Sequence, residues 1–394
     1  MKGFRFVFHR DHLIITLGAF LLLWLLRFFA FNVTFLNPVA KALDSFRVTD
    51  LFFDIERIGS KPVESTDIAV MDVTDVIDRA DLALLLERID MCNPACIGVD
   101  LIFEGRKDDE QADAYLGEVA ERISEKAVFA VKLTDYDSQT GAFAGATHSF
   151  FTREHPVAEG YVNFINNLDA QPVRDLSTSR ETAEGPVASF PAVLAERYAG
   201  RDLGFAGKDF LINYRPVAFP VVSPAEIEEK ADQLEGRVVL VGTMHEERDM
   251  HNTPLGKMPG VQIQAYSLNT MLGRPVHVLP AWLKWLLAFV LCYLFQVTIE
   301  AVFRLAGRKR EAASMTFIRE SGIMPGLTLL LWTLLLSFVA YSCFRRHGLV
   351  IDSVLIIALF ALALESRRLY RSLMMALGRK TKCRFVRDSI YNRT

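Results

Sequence analysis

Cysteine is scarce in this chain, which has five cysteines among its 394 residues. So few cysteines exclude a small fold held together by a disulfide framework. The sequence also contains no G-x-G-x-x-G, G-K-[ST], H-E-x-x-H or G-x-S-x-G motif and no paired-carboxylate signature. The chain is therefore not predicted to be an enzyme, and no cofactor is expected.

A large net charge is lacking too, since the formal value is −3 at pH 7. This small value hides a division along the chain. Of the 44 Lys and Arg and the 47 Asp and Glu, residues 37–280 hold 23 and 40 respectively. An acidic region therefore lies between basic ends that are rich in apolar residues. This pattern is typical of a membrane protein and excludes a soluble enzyme with an evenly neutral surface.

Long apolar runs predict four transmembrane helices, at residues 13–31, 281–303, 323–344 and 349–365. About 20 apolar residues are needed to cross about 30 Å of hydrocarbon as a helix. The fourth run is the shortest and contains Asp352, so it would place that carboxylate at the lipid headgroups. The first run is expected to remain as an anchor, because no small-x-small cleavage site of a signal peptide follows it.

The distribution of basic residues predicts the orientation of these helices. Lys and Arg are concentrated in residues 1–12, in the loop 304–322 and in the basic tail 366–394. Short basic segments remain cytoplasmic, so both termini are predicted inside the cell and residues 32–280 outside the membrane.

The basic residues beside the membrane are candidate contacts for a cytoplasmic partner or for anionic lipid headgroups of the bilayer. The alternative is that their charge only fixes the topology. No nucleic acid is expected as a partner, because these residues lie next to the membrane. The candidates are Arg308, Lys309, Arg310, Arg367, Arg368 and Arg371.

The extracytoplasmic region is predicted to be an α/β domain with a mostly parallel sheet. Strand and helix patterns alternate as β-α-β-α-β, which indicates a parallel sheet with right-handed crossovers. A loop or hairpin insertion is expected at 134–160. The elements are expected at 67–73, 79–91, 96–102, 108–126 and 127–133, followed by helices at 187–198 and 261–272 and strands at 210–213 and 237–241.

Acidic and histidine side chains follow three of these strands. Asp72 and Asp100 end two strands, and His245, Asp249 and His251 come after a third. Ligands of open α/β sheets bind at the carboxyl edge of the strands, so these five residues form the predicted ligand site. Their oxygen and nitrogen atoms suit a divalent cation, although the spacing matches no metal motif. Capping of the following helices by the aspartates is the alternative, and the presence of a metal stays open.

Two further features have a plain structural explanation beside a functional one. Gly242 and Thr243 follow a strand and could form a phosphate-binding turn, but they fit an ordinary strand-end turn better. Cys92 and Cys96 flank an Asn-Pro turn in a region expected to face an oxidising compartment. A disulfide between them is left open.

The second half of the acidic region resembles the type-2 CHASE domain, a cyclase/histidine-kinase-associated sensory extracellular domain of bacteria. The upstream segments IAVMD (68–72) and IGVDLIF (97–103) resemble its first half, as does the stretch from Asn163 to Arg174. Gln262 and Gln264 stand where that family usually has acidic and histidine residues. The segments that carry the resemblance are FLINYR (210–215), GRVVLVGT (236–243), DMHNTP (249–254) and MPGVQIQAYSLNTML (258–272).

The resemblance implies an extracytoplasmic sensor in the bacterial inner (plasma) membrane that relays its signal through the membrane helices. About 30 residues follow the fourth predicted helix, so no output enzyme domain is expected in this chain. A stand-alone sensor that acts on a separate cytoplasmic effector or envelope protein is the leading hypothesis, and a homo-oligomer is compatible with it. The alternative is a non-signalling membrane scaffold for an envelope assembly.

Overall fold

The computed structural model describes residues 7–32, 47–76, 78–137, 139–164, 171–205, 207–273, 275–306, 323–380 and 383–391. The chain divides into two compact units. One consists of residues 50–276, and the other combines residues 1–49 with residues 277–394. Three of the predicted contact residues, Arg308, Lys309 and Arg310, lie outside the described residues.

The described helices and strands occur in both units. The helices are α1 (Arg10–Asn32), α2 (Val48–Gly59), α3 (Arg79–Met91), α4 (Glu110–Arg122), α5 (Phe190–Ala199), α6 (Gly260–Gly273), α7 (Ala281–Ala306), α8 (Ile323–His347), α9 (Ser353–Lys380) and α10 (Arg384–Arg387). The strands are β1 (Val63–Glu64), β2 (Ile68–Asp72), β3 (Cys96–Val99), β4 (Ala127–Asp137), β5 (Ala142–Thr147), β6 (Ala158–Tyr161), β7 (Asp175–Ser177), β8 (Ser179–Thr182), β9 (Gly185–Ala188), β10 (Asp209–Leu211), β11 (Val217–Ala218), β12 (Val221–Val222), β13 (Val238–Gly242), β14 (Met250–Thr253), β15 (Gly256–Pro259), β16 (His277–Val278) and β17 (Leu349–Val350).

A nine-stranded sheet forms the centre of the unit 50–276, with the order β12-β2-β13-β3-β4-β5-β8-β9 and with β6 beside β4. The strands β12, β2, β13, β3, β4 and β6 pair in parallel. The remaining part is mixed, because β4 with β5 and β8 with β9 are antiparallel pairs. The predicted α/β class is therefore confirmed, and the sheet is parallel in part.

Helix α3 shows how the sequence produces the layer of helices on this sheet. Asp78 caps its start by accepting a hydrogen bond from the amide of Ala80 at 3.0 Å. Its apolar side chains recur at helical spacing and are buried in the main hydrophobic core. After Cys92 the chain turns through Asn93, whose φ of 52° is left-handed and ends the helix.

Strand β4 is longer than the sequence indicates and creates an overhang beyond the parallel sheet. Val128 to Val131 pair with β6 inside the sheet. From Lys132 to Asp137 the strand pairs with β5 as an antiparallel hairpin. The insertion expected at 134–160 is thus partly a hairpin, and β4 begins it instead of ending at residue 133.

Helix α6 packs closely on β13. A Cβ atom at Gly242 would lie 2.7 Å from the Cβ of Val261, so only glycine allows this approach. Gly242 is required by packing, and its backbone carbonyl accepts a hydrogen bond from the amide of Val73 at 3.1 Å. This is the ordinary strand-end explanation, and no phosphate-binding turn is needed to account for the glycine.

Cys92 and Cys96 are both free thiols in the structure. Cys96 is buried in β3, and Cys92 lies at the end of α3 with its thiol near the carbonyl oxygen of Arg88 at 3.3 Å. Burial raises the pKa of the Cys96 thiol to about 11, so this group remains an unreactive core side chain.

A buried ion pair fastens α2 to the unit 50–276. The guanidinium of Arg174, which is 4% exposed, donates to the carboxylate of Asp50 from Nε at 3.0 Å and from Nη2 at 2.6 Å. Next to this pair, Phe53 is fully buried and meets the ring of Tyr214 edge to face. Both contacts hold one face of α2 against the domain.

Three helices among the described residues are long and apolar enough to cross a membrane: Arg10–Phe29, Ala281–Leu305 and Ile323–His347. The prediction of a fourth span at 349–365 is not confirmed, so three and not four candidates exist in this part of the chain. The reason is that residues 349–350 form strand β17 with β16, and the apolar start of α9 soon reaches Glu365, Arg367 and Arg368.

Helix α9 nevertheless packs against the apolar helices of its own unit. Ser366 donates a hydrogen bond from Oγ to the carbonyl oxygen of Ile15 at 2.8 Å. Gly18 faces the same serine, and the absence of a side chain there lets the two helices approach. Phe360 stacks on Phe295 of α7 with ring centroids 4.6 Å apart. The unit is therefore a helical bundle that includes α9.

Replacement of Asp50 by Asn should destabilise the unit 50–276, because it removes the negative charge that pairs with the buried guanidinium of Arg174. A loss of about 3–5 kcal/mol in the free energy of unfolding is expected for breaking such a pair. Denaturant unfolding of the full chain in detergent micelles measures it. The control is Asp54→Asn on the same helix, where the exposed pair with Arg57 is worth less than about 1 kcal/mol. Equal losses in the two variants would contradict the assignment.

Candidate functional site

A cavity of about 380 Å³ opens at the carboxyl edge of the parallel strands in the unit 50–276. Its volume lies in the range of small-molecule sites. The overhanging part of β4, the residues after β6 and the first turns of α6 form its walls. Its charged, imidazole and amide side chains are Asp100, Lys132, Asp135, Asn163, Asp249, His251 and Gln264.

Three of the five predicted site residues, Asp100, Asp249 and His251, line this one cavity. Asp100 follows β3, and the other two flank the start of β14. They come from distant parts of the sequence because β13 and β3 are adjacent parallel strands that end at the same edge. The structure therefore brings three of the five predicted residues together at this edge of the sheet.

The other two predicted residues, Asp72 and His245, do not line the cavity. Oδ1 of Asp72 accepts hydrogen bonds from the amides of Thr74 at 3.0 Å and of Met244 at 3.2 Å, so this carboxylate orders the strand end. The side chain of His245 is 77% exposed, and its Nε2 lies 3.6 Å from Oδ2 of Asp72. Asp72 does not cap the helix that follows it, because Asp78 has that role.

The position of Asp249 depends on the start of α6. Its Oδ2 accepts a hydrogen bond from the amide of Gly260 at 3.1 Å, and its Oδ1 lies 3.3 Å from Nε2 of His251. A Cβ atom at Gly260 would lie 2.7 Å from Oδ1 of Asp249. Glycine is therefore needed at this position for the carboxylate to approach the helix.

Asp100 is the titratable group with the strongest perturbation in the cavity. Its amide donates to the carbonyl oxygen of Val241 at 2.8 Å, which fixes the residue at the strand edge. Burial, and next the charge of Asp249, raise the pKa of the Asp100 carboxyl to about 8. The side chain is therefore largely protonated at pH 7. Titratable groups with a strongly shifted pKa in a cavity are typical of functional sites.

Two amide side chains of the cavity were not in the predicted site. Asn163 accepts from the amide of Leu133 at 2.7 Å and donates to its carbonyl oxygen at 2.9 Å, as a backbone partner in a strand would. Gln264 is 1% exposed and donates from Nε2 to the carbonyl oxygen of Val162 at 3.2 Å. Its Oε1 has no hydrogen-bond partner among the described residues. The spacing of Gln264 from Gly260, one helical turn, was the signal that would have indicated it.

A metal site is not supported by the described residues. Among them, no group of three or more His, Cys, Asp or Glu side chains is placed to hold a metal ion. Asp249 and His251 form a pair without a third such ligand.

The basic residues of α9 differ in exposure. The side chain of Arg367 is mostly buried, and its Nη2 lies 2.7 Å from Oε2 of Glu300 on α7. Its guanidinium also lies over the ring of Phe303. Arg367 therefore makes its contacts inside the helical bundle and does not lie on the surface. Arg368 and Arg371 are exposed, so these two of the predicted three have the exposure that a partner or lipid contact requires.

The model of the CHASE2 domain family matches residues 19–297, which is more than half of the chain. This chain belongs to the CHASE2 domain family. No curated protein and no solved structure matches it. CHASE2 is a sensory domain family, and the match covers the central sheet, the cavity and α6 of this chain. A sensory domain together with three apolar helices is consistent with a membrane protein.

The raised pKa of Asp100 predicts a pH dependence for the stability of this CHASE2 domain. An unfolded aspartate loses its proton near pH 4, whereas the folded one keeps it up to about pH 8. The folded state binds more protons in this interval, so wild-type stability should fall as the pH rises through it. The Tm of wild type should therefore fall relative to that of Asp100→Asn between pH 5 and pH 8.5.

Differential scanning fluorimetry of the full chain in detergent micelles at several pH values tests this expectation. Gln264→Met alters the same cavity without removing a titratable group, so it should keep the wild-type pH dependence. A difference between wild type and Asp100→Asn that stays constant over the interval would contradict the assignment.

Proposed function

We propose that this chain is a membrane-anchored sensor whose CHASE2 domain lies outside the bacterial inner membrane and binds a small molecule in the cavity. The single observation that supports it is the placement of Asp100, Asp249, His251 and Gln264 around one cavity at the carboxyl edge of the sheet. A concave site with a few convergent polar groups and a perturbed pKa is the default binding site of such a fold.

Helix α6 offers a short covalent route from the cavity to the membrane helices. Gly260 and Gln264 on its first turns line the cavity, and the helix ends at Gly273. The next apolar helix, α7, begins at Ala281. A ligand that binds one position of α6 better than another would shift the equilibrium between them by its difference in affinity. We expect this shift to be passed along the chain to α7.

The proposed recipient of the signal is a separate cytoplasmic effector. The basic residues that follow α7 and α9 support a cytoplasmic location for the ends of these two helices. This location requires the apolar first part of α9 to cross the membrane in addition to the three apolar helices. Arg368 and Arg371 are exposed and are the proposed contacts with the effector or with anionic lipid. No catalytic step is assigned to the chain.

Binding in the cavity should be visible as thermal stabilisation of the full chain by a small-molecule extract of the cell envelope. At a ligand concentration of 100 times Kd the stabilisation is about 2.7 kcal/mol. For a domain of this size that is a rise of about 5–10 °C in Tm. The double variant Asp249→Ala/His251→Ala should lose the rise, because both side chains line the cavity.

The control variant is His245→Ala, which removes an exposed histidine outside the cavity and should keep the full rise in Tm. A rise that is unchanged in the Asp249→Ala/His251→Ala variant would mean that the cavity is not the site. Absence of any rise, with a protein partner recovered on residues 50–276 by crosslinking, would favour a scaffold over a sensor.

The orientation can be tested with the exposed Cys383. In spheroplasts, a membrane-impermeant maleimide should not label Cys383 until the membrane is permeabilised, because the segment after α9 is expected inside. In a Cys92→Ser/Cys383→Ser background, Thr140→Cys on the exposed turn after β4 should be labelled at once. Immediate labelling of Cys383 would mean that α9 does not cross the membrane, and it would contradict a cytoplasmic location of the segment after α9.

A further inference from the structure

The polar groups of the cavity are unbalanced between donors and acceptors. The amide nitrogens of Asn163 and Gln264 already donate to backbone carbonyls. By contrast, Oε1 of the buried Gln264 accepts from no described residue. A buried acceptor without a donor is costly, so this site favours a ligand that donates hydrogen bonds.

The charges of the cavity are unbalanced in the same direction. Asp100, Asp135 and Asp249 line it, against one cation, Lys132. Asp100 and Asp249 are close enough for the charge of one to disfavour ionisation of the other. A positive charge placed between them would remove this repulsion. The ligand is therefore expected to carry a cation as well as donors.

The cation is expected to be organic. Among the described residues no three metal-ligating side chains come together. Instead, the rings of Tyr136, Phe143 and Phe164 line the same cavity and provide apolar and aromatic surface. Aromatic faces attract ammonium groups and accommodate the carbon skeleton of a ligand.

We infer that the cavity binds a small organic molecule through a protonated amine, which donates to Oε1 of Gln264 and pairs with Asp100 and Asp249. This inference rests on the proposed sensory function and adds the ligand class to it. The amine could belong to an amino acid or to a simple amine without a carboxylate. Lys132 is exposed at the cavity and is the group that would bind the carboxylate of an amino acid.

Binding of an ammonium group should release a proton at pH 7. Burial and Asp249 keep the Asp100 carboxyl largely protonated, and a neighbouring positive charge favours its ionised form. The other charged or titratable groups that line the same cavity are Asp249 and His251 at the start of β14, and Lys132 and Asp135 on β4. The binding enthalpy should therefore depend on the ionisation enthalpy of the buffer.

The test uses the full chain in lipid nanodiscs and isothermal titration calorimetry at pH 7. The probes are the proteinogenic amino acids and the linear diamines putrescine and cadaverine, each compared with its N-acetylated form. At least one amine should bind, and its N-acetylated form should bind at least tenfold more weakly. Titrations of that amine in phosphate and in Tris should differ in enthalpy by the release of a proton.

Three variants locate the interaction. Gln264→Met and Asp100→Asn should each weaken binding at least tenfold, and Asp100→Asn should also abolish the buffer dependence. Asp72→Asn is the matched control, since it alters a strand-end aspartate outside the cavity, and it should bind as wild type does. Lys132→Gln should weaken binding of an amino acid but leave binding of a diamine unchanged, which distinguishes the two sources of the amine.

The outcomes separate this inference from the function on which it rests. If the envelope extract stabilises the protein through Asp249 and His251 but no amine binds, the ligand class is wrong and the sensory site stands. If amines bind equally well to wild type and to Gln264→Met, the inference is overturned. If neither the extract nor any amine has an effect, both proposals fail.

Discussion

The close contact between α6 and β13 is the constraint on which the rest of the domain depends. Gly242 has no side chain, so Val261 can pack directly on the strand and the helix begins at the edge of the sheet. This position brings the amide of Gly260 to Asp249 and brings Gln264 into the cavity. The same helix leads along the chain to α7. One packing contact therefore fixes the shape of the site and places Gln264, on the helix that precedes α7, in the wall of the cavity.

The sequence predicted the parallel sheet and much of the site because both follow from local patterns. Asp100, Asp249 and His251 come after strands, and parallel strands end at a common edge. The sequence did not predict that β13 lies between β2 and β3. That order brings the amide of Met244 to Asp72, which therefore serves its own strand end. Whether a strand-end aspartate faces a ligand or the backbone depends on such neighbours, which a single sequence does not reveal.

The unit formed by residues 1–49 and 277–394 shows the same limit of prediction from sequence. Hydropathy treats each apolar run by itself, so the first residues of α9 were predicted to be part of a transmembrane helix. Arg367 was predicted to be a surface contact because it is a basic residue beside that run. In the structure Arg367 binds Glu300 and lies over Phe303 within the bundle. A pair of this kind joins two helices that are far apart in sequence. Burial of an ionic residue follows from the partner it finds, and its own neighbours in the chain do not indicate that partner.

The cavity has the energetic properties that a sensor needs. Among the described residues, Oε1 of Gln264 has no hydrogen-bond partner, and burial together with the charge of Asp249 raises the pKa of the Asp100 carboxyl. A ligand that contacts both side chains gains affinity from groups on β3 and α6 together. Because Gln264 and Gly260 belong to the helix that leads to α7, affinity gained there depends on the position of that helix. A ligand that contacts Gln264 would shift the equilibrium between two positions of α6 only by its difference in affinity for them.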